Sequence, residues 1–424
     1  MKSVSHKLWL ALVLSGVMAF GCSQRAESPI RDATGPEQSI SGGNQGGLVD
    51  PIDPVLHSAD ESQFVVEFTP FADVNDIAGD LNLTIIDQYE VDGRQLVLFA
   101  GNGVVQVEDF KADYASAVKT AGVNEEVDIN ANAGSLVIGF VGEDWDPELV
   151  LGQDAFVSLN LPSVHQAATG AGVKIGVVDT GADITHEALT GHLELLPTGG
   201  DLTSDESCDG IDNDGDLIID EACGHGTFVC AEIAMCAPGA TILPVRVLDS
   251  DGVGSMIDVL HGIHLAVEEG CDVINLSLCL TDFSEQFSLN LEELQNNDVA
   301  LIAAAGNAGL RNPLFPGASP YLLGVAATDN TDHIMSWSGG GYRVDLGAPG
   351  FEVLSALFGG GVGMASGTSI ATPIVSSAVA LVKEEWNLSA LGAANRVRQT
   401  TRPIYPANAT QYGCLDLPEA VLTP

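Results

Sequence analysis

Ser369 lies in Gly367-Thr368-Ser369-Ile370-Ala371-Thr372-Pro373, a glycine-led turn running into an apolar stretch with Ile374, Val375, Ala378, Val379, Leu381 and Val382. The spacing predicts a helix with Pro373 in its first turn, where a missing N–H costs no hydrogen bond. The unpaired N–H groups and dipole of such a terminus favour negative charge, which suits an acyl-transfer nucleophile. A hydroxyl in that role needs a base, and the base needs a group to orient it. Asp179 closes the apolar run 173–178, which reads as a buried parallel strand. Asp179-Thr180-Gly181 then turns at the strand's carboxyl end, where open α/β sheets bind ligands. His225 stands in Gly224-His225-Gly226-Thr227, opening a helical stretch through Phe228, Val229, Ile233 and Ala234. The run Ala303-Ala304-Ala305-Gly306-Asn307-Ala308-Gly309 reads as a strand delivering the Asn307 amide into a Gly-rich loop.

The elements that must position these groups follow from periodicity. Residues 255–269 carry Met256, Val259, Leu260, Ile263 and Val267 on one helical face, and Gly270 leads into a strand over 273–278. His261 and His264 on that helix read as structural. Apolar β-like runs alternate with helical patterns, which argues for an α/β sandwich around a mainly parallel sheet. A chain of 424 residues with 46% hydrophobic content supplies a large core.

The order Asp179, His225, Asn307, Ser369, with Ala237-Pro238-Gly239-Ala240, Val273-Ile274-Asn275-Leu276-Ser277-Leu278 and Leu346-Gly347-Ala348-Pro349-Gly350 between or beside them, resembles the subtilase family of serine proteases. That chain order is subtilisin's, and differs from that of chymotrypsin-like enzymes and α/β-hydrolases. The resemblance implies an α/β fold, a subtilisin-like three-layer sandwich, with a catalytic domain over 152–424. It implies a serine endopeptidase acting on protein or peptide substrates through an acyl-enzyme. Ser369 would be the nucleophile, His225 the base, Asp179 its orienting acid, and Asn307 with the Ser369 backbone N–H the oxyanion hole. Ser277, Leu278, Cys279, Ala304, Ala305 and Gly306 would line the substrate groove. Cys279 replaces a glycine usual in the family beside the substrate, so a subsite should be narrowed or altered. The carboxylate that many members supply for a calcium site is Ala188 here.

Residues 1–22 read as a signal peptide: Lys2 and Lys7 precede an apolar segment over 8–20, too short for a comfortable membrane span. Ala19-Phe20-Gly21-Cys22 resembles a lipoprotein box with Cys22 as the lipidated residue, while Ala-Phe-Gly also satisfies ordinary signal cleavage. Both readings place the protein outside the cytoplasm, secreted or lipid-anchored to the envelope. Residues 23–58 read as a disordered linker. Strand patterns at 63–68 and 96–99, and a short strand or edge over 123–128, mark a small α+β domain over 59–130. Its position resembles subtilase propeptides, which fold and inhibit their enzymes until cleaved; a permanent N-terminal domain is the alternative. A linker over 131–151 would hold the maturation site.

The connection between acid and base is longer than subtilases usually need, with an acidic insertion over 201–223. Within it, Asp212, Asp214, Asp216, Asp220 and Glu221 cluster around a glycine turn and suit calcium, though Gly210 breaks an EF-hand alignment at its first position. A solvated acidic loop is the other reading, against which so many like charges should repel. Eight cysteines include Cys208 and Cys223 bracketing this loop, the best disulfide candidate. Cys230 and Cys236 lie too far apart along one helix to pair, and Cys271 and Cys279 flank an extended strand.

A net charge of −43, from 58 acidic against 15 basic residues, argues against nucleic-acid or anionic-membrane binding. It predicts a chain that tolerates salt and calcium, which screen its self-repulsion. Two other functions fit the same segments: a catalytically silent, calcium-stabilised surface binding protein on this fold, and an adhesion module built on the acidic loop. An intact Asp, His, Asn and Ser set favours the enzyme.

Overall fold

The computed structural model describes residues 63–91, 93–100, 107–129, 139–142, 144–197, 202–208, 210–211, 219–280, 283–309 and 313–424. Cys22, the signal segment, the linker over 23–58, and Asp212, Asp214 and Asp216 lie outside them.

A small α+β module comes first: β1 (Gln63–Phe68), α1 (Val74–Leu81), β2 (Thr84–Val91), β3 (Arg94–Ala100), α2 (Val107–Asp113) and β4 (Val118–Val123). Its antiparallel sheet has the order β2-β3-β1-β4. Nearly every residue of β1 is buried because both faces are covered. Phe64, Val66 and Phe68 join Val97, Phe99 and Phe110 in the module's own core, while Val65, Leu96 and Leu98 join the core of the large domain. Asn124 and Glu125 separate β4 from β5 (Glu126–Asp128), so the run 123–128 forms two strands rather than one. The stretch 131–151 carries β6 (Gly139–Gly142) and α3 (Pro147–Leu151), followed by α4 (Asp154–Ser158) and α5 (Leu161–Val164).

The large domain is built on β7 (Lys174–Asp179), α6 (His225–Cys236), β8 (Thr241–Arg246), β9 (Val253–Ser255), α7 (Met256–Glu268), β10 (Val273–Leu276), β11 (Cys279–Leu280) and α8 (Glu285–Asn296). It continues through β12 (Ala300–Ala304), β13 (Leu323–Thr328), β14 (Leu346–Pro349), β15 (Val353–Ala356), β16 (Val362–Ala365), α9 (Thr368–Trp386), α10 (Ala390–Gln399), β17 (Thr401–Arg402), β18 (Gly413–Leu415) and α11 (Leu417–Leu422). Eight strands form the central sheet in the order β17-β18-β14-β13-β12-β10-β7-β8, parallel except for β17.

Alternation along the strands sends side chains into two layers. Ile175, Val177, Ile302 and Val325 pack with Phe228 and Ile233 of α6 and Ile374 and Val375 of α9. Val178, Val245, Ile274 and Leu301 pack on the other face with Val259 and Ile263 of α7 and Phe287 and Leu291 of α8. Ser255 caps α7 by accepting the Asp258 N–H. His261 stacks on Tyr89 and His264 bonds the Asn290 amide oxygen, so both serve packing.

One expectation is corrected. Pro373 lies inside α9, in its second turn, because the helix already starts at Thr368. Its ring nitrogen gives no hydrogen to the Ser369 carbonyl four residues back. The Ser277 hydroxyl fills that gap, donating to Ser369 O at 2.7 Å.

Candidate active site

Asp179 ends β7 with its side chain fully buried. Its Oδ1 accepts the Thr180 N–H at 2.8 Å and bonds His225 Nδ1 at 2.7 Å. A carboxylate only accepts, so Nδ1 carries the hydrogen and Nε2 presents a lone pair. Burial pulls the His225 imidazole pKa down, and the Asp179 charge and hydrogen bond, helped by Glu206, more than reverse this. The net effect is a raised pKa, which favours taking up a proton. Nε2 has no hydrogen-bond partner among the described residues, Ser369 included.

The acid and base loops meet backbone to backbone. A Cβ at Gly226 would come within 1.9 Å of the Gly181 carbonyl oxygen, and Gly181 itself has φ of 96°. Glycine is therefore required in both Asp-Thr-Gly and His-Gly-Thr.

Ser369 is the second residue of α9 and is almost fully buried. Asn307 follows β12 in the loop behind Gly306, whose φ of 82° suits glycine and whose Cβ would strike Leu314. The Asn307 Oδ1 accepts both the N–H and the hydroxyl of Thr368 at 3.0 Å. Because its oxygen is held by a backbone N–H, the amide nitrogen is the free end, available to a developing oxyanion. Gly306 N–H donates to Thr368 Oγ1 at 3.1 Å, tying the loop to the same helix start.

The candidate groove residues divide by role. Ser277 spends its hydroxyl on scaffolding, accepting from Asn275 and donating to Ser369 O. Leu278 and Cys279 are buried, and the Cys279 Sγ lies 3.9 Å from the Ala304 carbonyl. Burial pushes the Cys279 thiol up to about 12, so it is un-ionised. Ala304 and Ala305 are buried at and just beyond the end of β12. Between β9 and β11 runs β5, antiparallel to both, with Asp128 opposite Cys279 and Val253. Val127 is fully buried there, and Ile129 N–H donates to Gly252 O at 3.1 Å. A Cβ at Gly252 would meet Ile129 Cγ1 at 2.4 Å, so that side chain fills the space the glycine leaves.

In the acidic connection, Cys208 and Cys223 form a disulfide with Cα atoms 5.7 Å apart. Cys230, Cys236, Cys271, Cys279 and Cys414 are unpaired and buried. Asp220, with φ of 55°, accepts the Gly210 N–H on both carboxylate oxygens and gives its own N–H to Asp251. No group of three or more metal-ligating side chains is gathered among the described residues.

Sequence reasoning missed Glu206. Its carboxyl accepts the hydroxyls of Thr180 and Thr227, the Gly224 N–H at 2.9 Å and the Thr227 N–H at 3.3 Å. The available signal was a threonine in both the acid and the base motif, each hydroxyl needing an acceptor once buried.

Residues 170–403 match the subtilase family of peptidases. The chain belongs to that family. It is 30% identical to subtilisin E of Bacillus subtilis (strain 168) over 274 residues, 60% of this chain and 67% of that protein. It is 35% identical to thermitase of Thermoactinomyces vulgaris over 238 residues, 54% of this chain and 80% of thermitase. The fold matches fervidolysin from Fervidobacterium pennivorans, described as a keratinolytic enzyme related to subtilisin, with a TM-score of 0.66 at 20% identity. That match covers 86% of this chain and 61% of fervidolysin. This subtilase thus has the α/β architecture of the family.

Proposed function

We propose that this subtilase is a serine endopeptidase whose triad is Asp179, His225 and Ser369. The observation that carries the reading is the buried 2.7 Å bond between Asp179 Oδ1 and His225 Nδ1, which sets the tautomer of the neutral imidazole so that Nε2 is the acceptor. Ser369 Oγ attacks the scissile carbonyl carbon as its proton passes to Nε2. The carbonyl oxygen becomes an oxyanion, met by the Asn307 amide and the Ser369 N–H. Collapse breaks the C–N bond, and the proton on Nε2 leaves with the amine. Water, deprotonated by the same nitrogen, then hydrolyses the acyl ester and frees Ser369.

The module over 59–130 is read as a propeptide. It is supported by β5, which runs between β9 and β11 beside Cys279 of the candidate groove, paired on either side as a bound peptide would be. Lys111 and Lys119 of the module bond Glu285 and Glu293 of α8, so opposite charges also join the two parts. Maturation would cut within the linker over 131–151, and N-terminal sequencing of the mature protein reads the bond directly. Export and lipidation at Cys22 rest on the N-terminal sequence. Calcium rests on the carboxylates of the 201–223 loop, where Asp220 and Glu221 would act with Asp212, Asp214 and Asp216.

The test is a fluorophosphonate probe on the processed protein, together with peptide hydrolysis. Labelling abolished by Ser369→Ala is expected. A processed, folded wild-type protein that neither labels nor hydrolyses peptides would leave the silent binding protein as the better reading.

A further inference from the structure

Beneath the acid and base loops lies a carboxyl group that the mechanism above does not use. Glu206 is 4% exposed and touches neither the nucleophile nor the oxyanion amide. Its bonds cross between the two loops that must bring Asp179 and His225 together. Thr180, directly after Asp179, accepts the Gly226 N–H at 2.9 Å and donates its hydroxyl to Glu206. Thr227, two residues after His225, accepts the Asp183 N–H at 2.7 Å and donates its hydroxyl to the other Glu206 oxygen. Each threonine thus takes a backbone hydrogen from the opposite loop and must point its own proton at Glu206. The Gly224 N–H, one residue before His225, completes the set.

The covalent frame serves the same end. Glu206 is two residues before Cys208, and His225 is two residues after Cys223, its disulfide partner. The bridge therefore holds the acid-loop side of the network against the start of α6.

We propose that Glu206 is a positioning residue of the catalytic centre, its carboxyl joining the Asp179 loop to the His225 helix within a frame closed by Cys208–Cys223. The proposal rests on the triad reading above. Glutamine has nearly the same shape but cannot replace it. Each oxygen of Glu206 faces a backbone N–H as well as a hydroxyl, and an amide NH2 at either place meets a donor it cannot satisfy. A buried network that is half satisfied loses more than the sum of its bonds.

Glu206 also bears on His225 electrostatically. Burial pushes the Glu206 carboxyl up to about 7, against lowering bonds from Thr180 and Thr227, with the Asp179 charge adding to the rise. The titratable groups whose fields meet it are Asp179, His225 and the buried thiol of Cys230. Arg246 bonds Ser207 Oγ and the Leu248 carbonyl, and its charge acts on Asp205 and Asp249. Removing the Glu206 charge takes away one of the influences that raise His225.

The test compares wild type with Glu206→Gln and Glu206→Asp. For Glu206→Gln, kcat should fall about 10- to 100-fold, the scale of a small misplacement of reacting groups, with KM changed less than about twofold. The acid limb of its pH profile should move slightly to lower pH, because His225 loses the part of the Glu206 negative charge that is present near pH 7. Glu206→Asp, which keeps the charge on a shorter arm, should hold the acid limb near its wild-type place while kcat stays depressed. If the glutamine variant does not fold, the aspartate variant carries the kcat prediction. The low-field NMR proton on His225 Nδ1 gives a readout independent of turnover, taken in the full chain with Ser369→Ala. It should shift, and titrate lower, when Glu206→Gln is added. A folded Glu206→Gln variant with wild-type kcat, acid limb and His225 proton would overturn the proposal. A wild type without turnover but with the expected NMR shift would instead strike only the endopeptidase reading.

Discussion

The Ser277 hydroxyl donates to the Ser369 carbonyl at 2.7 Å, in the place a backbone N–H would occupy if residue 373 were not proline. The proline thus opens the helix hydrogen-bond ladder at Ser369, and the Ser277 side chain closes it. Ser277→Ala leaves a buried carbonyl unpaired, which costs about 1–3 kcal/mol. A lowered melting temperature together with slower fluorophosphonate labelling is expected. If Ser277→Ala melts and labels like wild type, the carbonyl has found another donor.

Glu232 lies fully buried in α6, with neither carboxyl oxygen hydrogen-bonded. Burial holds its pKa well above the ordinary carboxylate value. A raised folded-state pKa means its contribution to stability is most favourable below the unfolded value and is lost as pH rises towards the folded one. Glu232→Met should therefore stabilise the protein at pH 8, by about 1–3 kcal/mol from the unsatisfied group alone. The gain should shrink at pH 4, where the unfolded chain is also largely protonated. Urea denaturation at the two pH values measures both; equal gains would contradict the buried acid.

Glu67 of β1 is 2% exposed, and its carboxylate is met by Arg94 and Lys119, both of which also bond Glu293 on α8. Removing Arg94 leaves Glu67 with Lys119 still bonded, so the loss should fall short of the about 3–5 kcal/mol that a wholly uncompensated buried charge costs. In a Ser369→Ala background that prevents self-cleavage, Arg94→Met should lower the melting temperature, and adding Glu67→Met should recover part of the loss. Independent, additive losses would refute the coupling.

The Cys208–Cys223 bridge closes a loop with a sequence separation of 15. The chain-entropy estimate for such a loop is about 3 kcal/mol. The double variant Cys208→Ala, Cys223→Ala should lose roughly that stability in denaturant, and wild type should lose it under reductant. A double variant as stable as wild type would show that the loop is held by other contacts.

Motif chemistry was legible where it is local. The Asp-Thr-Gly, His-Gly-Thr and Gly-Asn segments announce themselves because each needs its glycine, as at Gly226 against Gly181. The central sheet was legible because its strands, buried on both faces, read as apolar runs. The offset of Pro373 was not, since Thr368 and Ser369 have no strong helix signature of their own. Glu206 was hidden for a different reason. It sits in a polar, loop-like stretch, and its partners come from two segments 26 and 21 residues away in sequence. The split of 123–128 depends on tertiary pairing: Asn124 still donates to Gln63 of β1 while its Oδ1 accepts the Ile257 N–H at the start of α7, and Glu125 O accepts that of Met256.

On the propeptide reading proposed above, β5, with a neighbour on both flanks, leaves neither lip of the groove open for a newcomer to zip onto. An arriving polypeptide has no foothold until that segment departs whole, surrendering Val127 and both ladders together. Vacancy then arises at a rate set by the chain itself, unmoved by how much competitor is supplied.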